Sequence, residues 1–217
     1  MRLYIYHHCP FCLRAVMVAN YKDIDHETVF LLNDDAETGQ RLIGAKQVPI
    51  LEKDDGSAMA ESLDIARYLA TLGNEQRIIR DGGDSQPFSQ AYDGASHSIS
   101  ALFYPRALAL GLPEFMCDDA CHYFRVKKES ALGMSFDQAM RESGQHLQIV
   151  QGMINSLPAP QLPSDHSHSI SWDDLLIFPT LRNLSMVEGL NFPPHLMHYL
   201  NEIDSLCGAG LYFDQAL

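Results

Sequence analysis

Apolar and polar positions along the chain follow two different rules, one before residue 72 and one after it. Leu3 to Tyr6 is a short aromatic and β-branched run that predicts a strand. Pro10 stands where a first helical residue belongs, and Phe11, Leu13, Val16 and Met17 follow at spacings that share one helix face. Thr28 to Leu32 reads as a second strand, with Asn33-Asp34-Asp35 as its stop and as the cap of a short helix near residues 36–43. Val48-Pro49-Ile50-Leu51 predicts a third strand, and a turn at Asp54-Asp55-Gly56 leads to a brief fourth. Ile65, Leu69 and Leu72 then recur at i, i+4 and i+7, with Gly73 as the stop. The predicted order is βαβαββα.

Beyond residue 72 no period-two alternation recurs. Residues 73–87, rich in glycine and charge, read as a linker between an α/β unit over 1–72 and an all-α unit over 88–217. Helical patterns cover Tyr92 to Leu110, Ala120 to Leu132, Phe136 to Leu157 and Trp172 to Val187. Ser171-Trp172-Asp173-Asp174 offers a serine cap with a carboxylate three residues on, and Ile170 and Leu175 stand where a hydrophobic staple closes over it. Leu157 to Ile170, rich in Pro, Ser and His, predicts an exposed loop.

Composition narrows the function more than the fold. Apolar residues make up 46% of the 217, enough for a sizeable core and too many for a disordered chain. With 15 Lys and Arg against 28 Asp and Glu the formal charge is −13, which disfavours nucleic acid and anionic lipid as partners. No apolar stretch approaches the roughly 20 residues that cross a bilayer, and the N-terminus turns polar too soon for a secretion signal. The expectation is a cytoplasmic protein with no membrane partner. Five cysteines, two of them close together, make no disulfide framework; in a reducing compartment the close pair points to redox chemistry or metal.

That pair, Cys9-Pro10-Phe11-Cys12, lies between a predicted strand and a predicted helix. Cys9 is then the helix cap, its sulfur near unpaired N–H groups and the positive dipole end, with Cys12 one turn on and facing the same way. Such a setting lowers a thiol pKa from about 8.5 to between about 3.5 and 7.5. At a pKa of about 5 the thiolate fraction at pH 7 rises roughly 30-fold, while intrinsic nucleophilicity falls roughly 40-fold. Attack gains almost nothing; departure of Cys9 from a mixed disulfide gains most. Cys9 is the expected nucleophile.

Other readings of the cysteines exist. One C-x-x-C can be half of a zinc site, but no second pair accompanies it, and no metal is expected. Cys117, Cys121 and His122 could supply ligands, and are read instead as small side chains on an apolar helical stripe. His7 and His8, if protonated, would lower the Cys9 pKa; the simpler expectation is an exposed strand-end pair with no role. Cys207 is read as incidental.

The sequence resembles a known family. Y-I-Y-x-H-C-P-F-C at residues 4–12, L-L-N-D-D-A-E-T at 31–38, K-Q-V-P-I-L-x-K-D-D at 46–55 and E-S-x-D-I at 61–65 are similar to the bacterial glutaredoxin 2 family, the larger glutaredoxins built like glutathione transferases. Pro105-Arg106, Lys127-Lys128-Glu129 and the stretch from Phe178 to Leu184 extend the likeness over most of the chain. The resemblance implies a thioredoxin-like first unit, a helical second unit, and glutathione as reductant and co-substrate. It also implies that Val48, before Pro49 in a cis bond, offers its backbone to the cysteine part of glutathione. Ser62 and the helix start after Glu61 would hold the γ-glutamyl carboxylate, with Glu61 meeting the ammonium. Lys46 or Gln47 would reach the glycine carboxylate. Phe11 stands where the family more often has tyrosine, and His7 where an acidic residue is expected; an imidazole there should favour a lower Cys9 pKa.

The resulting expectation is a monomeric glutathione-dependent oxidoreductase that reduces protein–glutathione mixed disulfides and protein disulfides. Two alternatives share the fold and the tripeptide. A glutathione transferase conjugating electrophiles needs a hydroxyl or single cysteine beside the bound thiolate, for which Tyr6 is the nearby hydroxyl. A glutathione-ligated iron–sulfur carrier would use Cys9 alone, against which Pro10 and Cys12 both count.

Overall fold

The computed structural model describes residues 1–83 and 85–217; residue 84, inside the expected linker, lies outside them. The first unit has the expected order: β1 (Arg2–Ile5), α1 (Pro10–Tyr21), β2 (Glu27–Phe30), α2 (Glu37–Ile43), β3 (Ile50–Glu52), β4 (Ala58–Met59) and α3 (Ser62–Ala70). The sheet runs β2-β1-β3-β4, with β1 parallel to β2 and antiparallel to β3, and β3 antiparallel to β4. Alternation in β1 sorts its side chains. Leu3 and Ile5 enter the main core beneath α1, whereas Tyr4 joins Leu31 and Ile50 in a smaller cluster on the face covered by Leu42 and Ile43 of α2. This is a thioredoxin-like layer with helices on both faces.

The strands are displaced from their sequence patterns by a residue or two. β3 begins at Ile50, so Val48 and Pro49, joined by a cis bond, precede the β1–β3 ladder. The connection after α3 is tied at several points: Lys22 Nζ donates to the carbonyls of Asn74 and Arg77, and Arg80 pairs with Ser171 as an isolated bridge.

The second unit is helical: α4 (Gln86–Ala109), α5 (Asp118–Leu132), α6 (Phe136–Arg141), α7 (Ser143–Ser156), α8 (Asp174–Leu184) and α9 (Pro194–Cys207). α4 starts six residues before the apolar pattern does, inside the expected linker, because Gln86-Pro87 is a favourable polar first turn. The pattern over 136–157 is two helices, broken at Glu142. α9 escaped the sequence reading: its pattern follows the Pro193-Pro194 start, but lies behind a turn-rich stretch. The cap before α8 is reciprocal. Ser171 N–H donates to Asp174 Oδ2 at 2.7 Å, and Asp174 N–H points back at Ser171 Oγ at 3.3 Å, while Ile170 and Leu175 are fully buried. The loop 158–169 is mostly exposed but holds a 3-10 turn at Pro163–His166 and buries Pro160 and Pro163.

α1 joins the two units. It packs against α3 on one side and against α8 and α9 on the other, and buries Cys12, Leu13, Ala15, Met17, Val18, Ala19 and Tyr21 around most of its circumference. None of the helices is long and apolar enough, among the described residues, to cross a membrane.

Candidate active site

Cys9 is the N-cap of α1, as the strand–cysteine–proline order predicts, with Pro10 as the first helical residue. Its Sγ accepts the Cys12 N–H at 3.4 Å. The Cys12 thiol, then the backbone N–H groups of Cys12 and Phe11, then the more distant charge of Lys128, hold the Cys9 pKa below that of an ordinary thiol, against the opposing effect of burial. Cys12 is driven the other way. It has no exposed surface, and desolvation together with the neighbouring Cys9 sulfur raises its pKa far above the usual range. All five cysteines are free thiols. The pair is therefore a sulfur whose thiolate is favoured, at the wall of a cleft, and a neutral thiol beneath it.

The cleft beside Cys9 has a volume of about 460 Å³. Its near wall comes from the thioredoxin-like unit: Cys9, Pro10, Phe11, Asn33, Lys46, Gln47 and Val48. The far wall comes from the helical unit, chiefly Phe103, Tyr104, Tyr123, Phe124, Lys127, Lys128 and Asn183. Three lysines thus face one cavity in a chain of charge −13. Lys46 and Gln47 are half-buried, not the exposed loop pair expected from sequence. Lys46 Nζ lies 3.5 Å from the centre of the Tyr123 ring and pulls that phenol's pKa down, and Gln47 Nε2 donates to Glu61 Oε1 at 2.8 Å. Glu61 has a left-handed backbone, φ 68°, and Ser62 is the buried first residue of α3, its hydroxyl 3.4 Å from Arg14 Nη1. The structure brings Cys9, Lys46, Gln47 and Val48 to the cleft directly, with Glu61 attached through Gln47; Pro49, Glu61 and Ser62 are not among the cleft-lining side chains.

Several expectations change. His7 and His8 are not an exposed pair. His8 is buried, its ring bonded to the Glu114 carboxylate and stacked against Phe115. His7 meets the Tyr212 hydroxyl at 2.8 Å, and burial followed by the nearby Arg182 charge lowers its pKa to about 4. A neutral imidazole gives Cys9 no positive field, so His7 does not favour the thiolate as its sequence position suggested. Cys117 caps α5 and Cys121 lies on its first turn, its Sγ 3.2 Å from the Phe115 carbonyl; both are half-buried rather than sunk in a core stripe. Among the described residues no three His, Cys, Asp or Glu side chains form a metal-binding group. The Tyr6 hydroxyl donates to the Asn33 carbonyl at 3.4 Å, and burial raises its pKa.

The residues that sequence reasoning missed come from the helical unit. Glu114, on the 3-10 turn Pro113–Phe115, and Arg182 and Asn183, near the end of α8, all reach the turn before Cys9. The signal was present: Glu114 sits among Leu112, Pro113 and Phe115, and Arg182 among Phe178, Leu181 and Leu184, each a charge in an apolar run. Burial forces Glu114 upward in pKa, but the His8 ring and backbone donors outweigh it and keep the carboxyl below its ordinary value.

With this geometry in place, comparison with known proteins decides the family. A family model described as Glutaredoxin 2, C terminal domain, matches residues 89–216, and one described as Glutathione S-transferase, N-terminal domain, matches residues 8–72. Glutaredoxin 2 of Escherichia coli K12 is 36% identical over 203 residues, 92% of each chain. This chain belongs to the glutaredoxin 2 family. The crystal structure of glutaredoxin 2 from Salmonella typhimurium in complex with glutathione superposes with a TM-score of 0.90 at 32% identity, covering 100% of this chain and 98% of that one. A glutathione S-transferase of Ceriporiopsis subvermispora, 14% identical with a TM-score of 0.64 over 95% of this chain and 96% of its own, shares the fold alone. Membership in the glutaredoxin 2 family makes the chain a glutathione-dependent oxidoreductase.

Proposed function

We propose that Cys9 is the nucleophile and Cys12 the resolving thiol of a glutathione-dependent dithiol oxidoreductase acting on protein–glutathione mixed disulfides and protein disulfides. The observation that carries this reading is the asymmetry of the pair: Cys9 Sγ held low in pKa at the mouth of α1, above a fully buried, neutral Cys12. Cys9 thiolate attacks the glutathione sulfur of the substrate, forming Cys9–S–SG and expelling the protein thiolate. A second glutathione thiolate then takes the bound glutathione away as glutathione disulfide and leaves Cys9 as thiolate. With a protein disulfide, Cys9 thiolate attacks one sulfur and expels the other as a thiolate that takes the Cys12 proton. Cys12 then displaces the second substrate thiolate from Cys9, and two glutathiones reduce the resulting Cys9–Cys12 disulfide and leave as glutathione disulfide.

Glutathione carries net negative charge, and Lys46, Lys127 and Lys128 give it an attractive cleft. Val48 offers main-chain groups beyond the end of the strand ladder, as an added strand would use them. Lys46 or Gln47 serves the glycine carboxylate, Ser62 and the α3 start serve the γ-glutamyl carboxylate, and Glu61, bonded to Gln47, takes the ammonium. The Salmonella relative binds glutathione, which supports this placement. Tyr6 is bonded to the backbone and raised in pKa, so it offers no support to a transferase reading. We further assign residues 1–72 and 88–217 as the two domains of a cytoplasmic monomer.

Wild type, Cys9→Ser and Cys12→Ser compared on a glutathionylated peptide, with glutathione as the only reductant, test the assignment. Cys9→Ser should be inactive and Cys12→Ser should retain deglutathionylation. Activity in Cys9→Ser would remove the nucleophile; loss in Cys12→Ser would remove the monothiol half of the cycle.

A further inference from the structure

The two residues before Cys9 have all four of their main-chain polar groups bonded to side chains of the helical unit. His7 and His8 N–H groups donate to Glu114 Oε2 and Oε1 at 3.1 and 2.9 Å. The His7 carbonyl accepts from Arg182 Nη1 at 2.8 Å, and the His8 carbonyl from Asn183 Nδ2 at 2.9 Å. The three side chains are buried: Glu114 is 0% exposed, Arg182 1% and Asn183 6%. Among the described residues no carboxylate pairs with Arg182; its other donors meet the Gly210 and Ala209 carbonyls, and its charge lies 4.1 Å from the Tyr212 ring centre.

We propose that Glu114, Arg182 and Asn183 are positioning residues for the Cys9 nucleophile, acting through the main chain of His7 and His8. The inference rests on Cys9 being the attacking group. Contacts that merely join the two units exist elsewhere, as where Asn20 Nδ2 donates to the Cys207 carbonyl at 2.7 Å, toward the far end of α1. These four bonds instead converge on the entry to the cap residue. Bonds to charged groups are the stronger kind, and here Glu114 and Arg182 supply three of the four. They fix the direction in which the chain enters α1, and so the path of Cys9 Sγ over the Cys12 N–H. That contact, 3.4 Å, is of ordinary length for a sulfur acceptor, and its length and angle follow the turn, so a displacement of the turn weakens it. The helical unit is then part of the reaction apparatus as well as the far wall of the cleft.

Glu114→Gln keeps the shape but replaces one acceptor oxygen by a donor that opposes a backbone N–H. It should lower kcat for deglutathionylation by about 10- to 100-fold, with the KM for glutathione within about twofold because Gln47 and Val48 lie on other segments. The midpoint of the pH profile for Cys9 alkylation by iodoacetamide should rise by about one unit. Asp174→Asn is the control for stability alone. Asp174 is likewise buried and bonded to Ser171 and Tyr199, but lies about 13 Å along the α8 axis from Asn183. It should lower the denaturation midpoint without moving the alkylation profile. Should Glu114→Gln not fold, Asn183→Leu removes the bond to the His8 carbonyl, along with one polar group of the far cleft wall, and should shift the same profile in the same direction. If the folded clamp variants lose stability like Asp174→Asn while kcat and the alkylation midpoint stay at wild-type values, the clamp is only glue and the inference fails. Activity surviving in Cys9→Ser would instead bring down the nucleophile assignment beneath it.

Discussion

Replacing Cys12 separates its two roles, resolving thiol and hydrogen-bond donor to Cys9. The Cys12 side chain is the largest single influence holding Cys9 low, ahead of the backbone donors and Lys128. A hydrogen bond to a charged acceptor is worth about 1.5–3 kcal/mol, and one pKa unit corresponds to about 1.36 kcal/mol. Losing that donor should therefore raise the Cys9 pKa by roughly one to two units. Cys12→Ala removes the donor; Cys12→Ser retains one on a shorter side chain. The assay is the pH dependence of alkylation, followed by peptide mass spectrometry so that the half-buried Cys117 and Cys121 are counted separately. The alanine variant should titrate one to two units above wild type, and the serine variant between the two. An alanine midpoint equal to wild type would refute the reasoning, since the helix end alone would then set the thiolate; a serine midpoint as high as alanine's would refute the part of it in which a hydroxyl replaces the thiol as donor.

Three further outcomes follow from the same structure. Lys128→Gln should raise the Cys9 midpoint by less than Cys12→Ala does, and the wild-type difference should shrink as salt rises from about 0.01 to 1 M, measured by the same alkylation profile. The folded His7 has a pKa of about 4 against 6.5 unfolded, so it contributes nothing above 6.5 and costs stability progressively as pH falls from 6.5 to 4. With allowance for partial exposure the loss is about 1–2 kcal/mol; His7→Phe should remove it in urea titrations, while the further loss below about pH 4.5, where the depressed Glu114 gains a proton, remains. Ser171→Ala should lower stability by about 1–2 kcal/mol by opening the α8 cap, read from the urea midpoint with unchanged slope.

The cap position of Cys9 was legible because it is local: a strand run, a cysteine and a proline specify a helix entry within ten residues. The α8 cap was legible for the same reason, Ser171 and Asp174 being three residues apart. The fold class followed from the change of period near residue 72 and from the family likeness. What escaped at the site depended on contacts between residues far apart in sequence. Nothing near His7 indicates that the helical unit buries it and that burial, helped by the Arg182 charge, keeps its ring neutral, and nothing near Lys46 indicates that Tyr123 covers its ammonium. α9 was missed because its apolar stripe follows a stretch of Gly, Asn and Pro that reads as loop. The single helix expected over 136–157 divides because Ser143 and Gly144 follow Glu142, a weak point that the apolar spacing alone does not reveal.

The central placement of α1 limits how this protein can be taken apart. One face of that helix belongs to the sheet and α3, and another to α8 and α9, so its side chains are shared property. A graft of the first seventy-odd residues onto a foreign bundle would have to import a matching seat for that second face. Without one, Arg14 and Asn20 would lose the Leu175 and Cys207 carbonyls, apolar surface of that face would meet water, and the transplant would gather with its own copies before it could do chemistry.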